Sequence, residues 1–129
     1  MYLTTPDVQR FKMSIMDSLH TEKKGLTSLL ADKLSKSADT YDRGGLTKAG
    51  RALQKHGDRL GSSFFQVKGN PTDINVQAID IVNNILNNPD SRVIQRHHPR
   101  FGDIVDIKSP DGQGIRYDAY DNFIGFLEP

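Results

Sequence analysis

NPTDINVQAIDIVNNILNNPDSRVIQRHH, residues 70–98, changes its hydrophobic period part-way along. In the first part Ile74, Ala78, Ile81, Val82, Ile85 and Leu86 recur at spacings of three and four, one wide apolar face of a helix. Asn83, Asn84, Asn87 and Asn88 lie on its polar side. Asn70-Pro71-Thr72-Asp73 supplies the start, with a capping side chain, a proline in the first turn and an acid at the positive end of the dipole. Asn88-Pro89-Asp90 supplies the stop. Beyond it the period becomes two. Strands are predicted at 92–97, 103–108, 114–118 and 122–127. Between them lie the turns Pro99-Arg100-Phe101-Gly102, Ser109-Pro110-Asp111-Gly112 and Ala119-Tyr120-Asp121-Asn122. Four short strands joined by tight turns make an antiparallel meander, and the apolar helix covers one of its faces. The expected class is α+β, helices packed on an antiparallel sheet.

Upstream, Thr5-Pro6-Asp7 opens a helix whose stripe is Val8, Phe11, Ile15 and Leu19, with His20 on its surface. A second stripe, Leu26, Leu29, Leu30 and Leu34, follows a break at Lys24-Gly25. Ser35 to Gly45 is polar, ends in Gly-Gly and reads as a linker or loop. The segment from Leu46 to Gly57 reads as a further helix, with Thr47 as N-cap and Gly57 as a left-handed C-cap. These features divide the chain into an N-terminal helical segment, 1–43, and a core, 44–129, within one compact domain.

The 129 residues suit one core rather than two, and at 36% hydrophobic content that core is small. No run of 18 apolar residues exists to cross a membrane, and no charged-then-apolar leader opens the chain. The absence of cysteine excludes disulfides, thiolate zinc sites and cysteine nucleophiles. The net charge of +1 is unevenly spread. Residues 43–68 hold Arg43, Lys48, Arg51, Lys55, Arg59 and Lys68 against a single acid, Asp58. On the helix Lys48, Arg51 and Lys55 share one sector, and Ala49, Ala52, Leu53 and His56 the adjoining packed face. Such a local stripe points to a polyanion; a solvated helix face is its structural alternative.

GLTKAGRALQKHG at 45–57, GNP at 69–71, RHHPRFGD at 96–103 and SPDGQGIRYD at 109–118 leading into NFIGFLEP together resemble a known family. It comprises the C-terminal toxin domains of contact-dependent growth inhibition (CdiA-type) and related polymorphic toxin proteins. The resemblance spans residues 44–129. It implies the fold shared by barnase, EndoU, colicin D and RelE, N-terminal helices on a four- or five-stranded antiparallel sheet. It implies a ribonuclease, most often a tRNase, neutralised by a cognate immunity protein. The domain would be presented on or secreted from a cell as part of a larger toxin and would act in the cytoplasm of a target bacterium. A target-cell factor is a further partner the resemblance allows. One departure stands out: Tyr120-Asp121-Asn122 replaces a Gly-containing turn before the last strand. Residue roles do not transfer by fold alone.

RNA carries its own nucleophile, the 2′-hydroxyl, so the protein needs a base, an acid for the leaving 5′-oxygen and cations for the developing charge. Neither a metal nor another cofactor is required. The expected catalytic residues are His56, His98 and Arg116. Cations at 48, 51, 55 and 59 disfavour a second positive charge on His56, which suits a neutral base; packing beside Leu53 at the helix C-terminus is the alternative. His97 and His98 point to opposite faces of a strand, and His98 shares its face with Arg96. A polar edge strand explains the pair equally well. Arg116 is suited to hold a phosphate bidentately or to pair with Asp103 or Asp106 across strands. Lys48, Arg51, Lys55, Arg59, Arg96 and Arg100 are expected to follow the RNA backbone, and Tyr117, with Phe64, Phe65 and Phe101, to stack on bases or fill the core. A metal-dependent DNase built on His97-His98 and Asp103 or Asp106, and a non-catalytic RNA-binding module, are the alternative functions.

Overall fold

A computed structural model describes residues 26–64 and 66–129; the helix expected over 8–19, His20 and Phe65 lie outside the described residues. Helix α1 spans Ser28–Ala38, strands β1 and β2 span Tyr41–Arg43 and Leu46–Thr47, and helices α2 and α3 span Lys48–Gly57 and Pro71–Asn87. Strands β3 (Arg92–His98), β4 (Gly102–Lys108), β5 (Gly114–Asp118) and β6 (Phe123–Leu127) complete the order.

The period change at Asn88 organises the domain. The Asn70 side chain accepts the Asp73 N–H and Pro71 takes the first helical position, so α3 starts where its residues dictate. Its inner stripe, Ile74, Ala78, Val82, Ile85 and Leu86, is buried. Chain reversal after Asn87 is fixed by Ser91, whose buried hydroxyl donates to the Ile85 carbonyl at 2.6 Å. Strands β3 to β6 then pair antiparallel in sequence order, the expected meander. One face carries Val93, Val105, Ile107, Ile115, Tyr117, Phe123 and Phe126 into a single core with Leu34, Leu53, Val82 and Leu86 of the helices. Burying a leucine such as Leu53 contributes on the order of 2 kcal/mol.

Three expectations are corrected. Ser35–Gly45 is no linker: α1 runs through Ala38, and β1 and β2 form a hairpin about Gly44 and Gly45, both at positive φ. Paired positive φ is the signature of a two-residue hairpin turn, and strands this short leave no readable alternation. Gly57 is not a left-handed cap; α2 ends onto Asp58 at φ −82° and the left-handed residue is Gly61 at φ +78°. Tyr117 is fully buried on the helix side of β5, where its hydroxyl donates to the Leu34 carbonyl at 2.8 Å. It therefore packs the core rather than a nucleobase. Among the described residues no helix is long and apolar enough to cross a membrane.

The turn between β5 and β6 keeps a demanding geometry without glycine. Asp121 sits at φ +64°. Asp118 holds the turn, its carboxylate accepting the Tyr120 and Asn122 N–H groups at 2.8 and 2.9 Å.

Candidate active site

Helix α2 lies along the edge formed by β6. Thr47 caps it, its hydroxyl accepting the Gly50 N–H at 2.9 Å, and Asn75 of α3 accepts the Thr47 backbone N–H at 2.9 Å. Gly50 is needed there because a Cβ would run into the Asn75 amide oxygen. With its start fixed and Ala49, Leu53 and His56 facing inward, α2 presents the exposed side chains of Lys55 and Arg59 beside the buried His56 ring.

The His56 ring is edge-on to Phe64 and Phe126, with centroids 5.4 and 6.2 Å away. Its Nδ1 lies 2.8 Å from a Glu128 carboxylate oxygen. Ser62 Oγ, Ser63 N and Ser63 Oγ also donate to Glu128, at 2.7, 2.9 and 2.9 Å. The turn at Gly61 brings these serines back over the strand. Burial works to raise the Glu128 carboxyl, but the bonds from His56, the Ser63 N–H and the two hydroxyls outweigh it and hold the group at about 2. Glu128 is thus an anion that only accepts, so His56 Nδ1 carries the proton in this bond. Nε2 remains as the polar atom of a ring that lines the cavity and is 11% exposed.

That cavity, about 390 Å³, is lined by Ala52, Lys55, His56 and Arg59 of α2 and its end, by Arg116 of β5, and by residues 124–128. Strand β6 bulges at this point. Arg116 pairs with Gly125 and Tyr117 with Phe123, leaving Ile124 as the extra residue. Nothing lies within 4 Å of where a Gly125 Cβ would sit, so this position keeps the cavity wall bare. Arg116 emerges on the sheet face opposite the core. Its Nε and Nη2 donate to the two Asp106 carboxylate oxygens at 2.7 and 3.0 Å. That hydrogen-bonded fork raises the Arg116 guanidinium above its ordinary value, and burial opposes it. Asp106, nearly buried, also meets Arg96 Nε at 3.3 Å.

His56, Arg116, Lys55 and Arg59 therefore meet at one cavity. His98 does not line it. It ends β3 at the far edge of the sheet, where its Nδ1 accepts the Arg100 and Phe101 N–H groups at 3.0 and 3.4 Å. Arg51 is 3.4 Å from Asp42, and Lys48 lies close enough to Asp121 to act on its carboxyl electrostatically. Only the C-terminal part of the basic stripe reaches the cavity. Phe64 is core. Glu128 and its two serines are the functional candidates that residue spacing does not signal. Among the described residues no three His, Asp or Glu side chains converge as a metal-binding group.

A family model described as the CdiA C-terminal tRNase toxin domain matches residues 34–128. That match begins inside α1, upstream of the expected boundary at residue 44. The toxic C-terminal tip of CdiA from Pseudomonas aeruginosa, solved in complex with an immune protein, is similar in structure. It is 26% identical, with a TM-score of 0.62 over 71% of this chain and 99% of that one. No curated protein matches the chain. The match runs from α1 through Glu128 and so takes in every wall of the cavity: the chain belongs to the CdiA C-terminal tRNase toxin domain family.

Proposed function

We propose that this domain is a toxin ribonuclease that cleaves tRNA by metal-independent transesterification at the cavity between α2 and β6. The observation that carries the reading is the 2.8 Å bond from His56 Nδ1 to the Glu128 carboxylate in a cavity also lined by Lys55, Arg59 and Arg116. The carboxylate fixes the ring so that Nε2 is the basic atom, and it stabilises the imidazolium formed when Nε2 takes a proton. Nε2 removes the 2′-hydroxyl proton, and the 2′-oxygen forms a bond to the adjacent phosphorus. The P–O5′ bond breaks, and Lys55 is the titratable donor available to the departing 5′-oxygen. The products are a 2′,3′-cyclic phosphate and a 5′-hydroxyl. Arg116, held by Asp106, offers its remaining N–H groups to the phosphate charge, with Arg59 beside it.

The family description supports tRNA as the substrate, and the related tip solved with an immune protein supports a cognate immunity protein as partner. The same family reading supports presentation on a larger surface toxin and action in a target cell's cytoplasm. The test is incubation with total tRNA, with and without EDTA, followed by mapping of the new 3′ ends. Discrete cleavage leaving cyclic phosphates in both conditions is expected. Loss of cleavage with EDTA would overturn metal independence, and intact tRNA throughout would overturn the ribonuclease reading.

A further inference from the structure

The β3–β4 hairpin tip carries a cluster that the cavity does not use. The His98 and Phe101 rings lie 4.9 Å apart at 38°, and the Arg100 guanidinium sits 5.2 Å from the Phe101 centroid. Arg100 is exposed, and Phe101, a large apolar ring with nothing to gain from water, is 38% exposed. The two N–H bonds accepted by His98 Nδ1 lock the turn, so the stack is preformed rather than assembled on contact. On the same strand Arg96 is 58% exposed, and Asp106 sets one negative charge against the two guanidiniums of Arg96 and Arg116. A cationic path therefore leads from the cavity toward the tip. Strand spacings place His98 about 17 Å from Arg116 with the tip just beyond it, within reach of an RNA held at the cavity.

We infer that this hairpin tip is a second contact for single-stranded RNA, at which a nucleobase a few nucleotides from the scissile phosphate extends the His98–Phe101–Arg100 stack. An aromatic ring with a guanidinium on it accepts any base through its π-face, and the neighbouring arginines bind phosphate without reading sequence. The site thus fixes where along an unpaired segment the cavity falls. It rests on the ribonuclease reading for its substrate but not for its measurement.

The test is equilibrium binding of fluorescein-labelled oligoribonucleotides to the His56→Ala chain, which is expected to cleave about a thousandfold more slowly. One probe has about eight unpaired nucleotides, and the other is a dinucleotide too short to span cavity and tip. Adding Phe101→Ala is expected to weaken the longer probe about tenfold, within the range for loss of one stacked base, and to leave the dinucleotide unchanged. Phe101→Trp is expected to restore the longer probe. Arg100→Ala is expected to lower the salt slope of binding by about one. Unchanged affinity for the longer probe would overturn the proposal, as would equal losses on both probes or failure of tryptophan to rescue. Cleavage is scored separately on the unmutated chain. RNA bound through the tip but never cut would therefore sink the ribonuclease reading alone.

Discussion

His56 and His98 are the same side chain in two opposite settings. At the α2–β6 edge, Nδ1 of His56 donates to a carboxylate whose own bonds keep it ionised, which leaves Nε2 as the ring nitrogen without a proton. At the hairpin tip, Nδ1 of His98 accepts two backbone N–H groups, which places the proton of the neutral ring on Nε2 and commits Nδ1 to the turn. A histidine's role is set by what holds its first nitrogen. The positive stripe on α2 divides similarly: Lys48 and Arg51 have acidic neighbours in Asp121 and Asp42, while Lys55 and Arg59 line the cavity.

The most severe way to break this comparison is to remove one ring at a time. His56→Ala is expected to lower kcat on tRNA about a thousandfold, the scale of lost proton transfer. His98→Asn, which keeps an acceptor for the turn, is expected to cost no more than about threefold in kcat, its effect falling on KM. Single-turnover rates with both variants decide it. A His98 loss as large as that at His56 would end the assignment of roles. Next in size, Glu128→Gln is expected to lower kcat about a hundredfold, because an amide no longer enforces the same tautomer or stabilises the imidazolium.

Glu128 also ties the site to stability. Its carboxyl is held at about 2 in the folded chain against an ordinary 4.5. The stabilisation is therefore complete above about 4.5 and is lost as the pH falls from there toward 2. Urea midpoints measured between these limits should fall more steeply for the parent chain than for Glu128→Gln. Parallel curves would remove the claim.

Smaller effects separate fold from site. Tyr117→Phe removes the hydroxyl's bond to the Leu34 carbonyl, which keeps its partner inside α1, and is expected to cost about 0.5–1.5 kcal/mol in urea melts, with kcat unaltered. Asp121→Gly relieves a left-handed backbone but loosens the unfolded chain. A gain of less than about 1 kcal/mol is expected, read as a small rise in Tm.

The period change at Asn88, the Asn70-Pro71 cap and the Thr47 cap were readable because each is local: one side chain meeting a backbone group three residues on. The four strands were placed within a residue at each end for the same reason, tight turns of Gly, Pro and Asp between alternating runs. The β1–β2 hairpin escaped because five residues carry no period. Tyr117 was within reach of the reasoning that separates His97 from His98: its neighbour Arg116 must point to the other face, so the two residues cannot serve one site. Glu128 was not legible. Its partner stands 72 residues away, and only the docking of β6 beside α2 joins them.

That separation has a consequence for a poison that its maker must also handle. His56 and Glu128 become a pair only after α2 is capped, β6 is seated and the Ser62–Ser63 turn has closed over the carboxylate. A nascent or unravelled chain holds both residues and not the pair. On the reading proposed above, cleavage then belongs to the folded state alone, and any process that keeps the chain unfolded also withholds it.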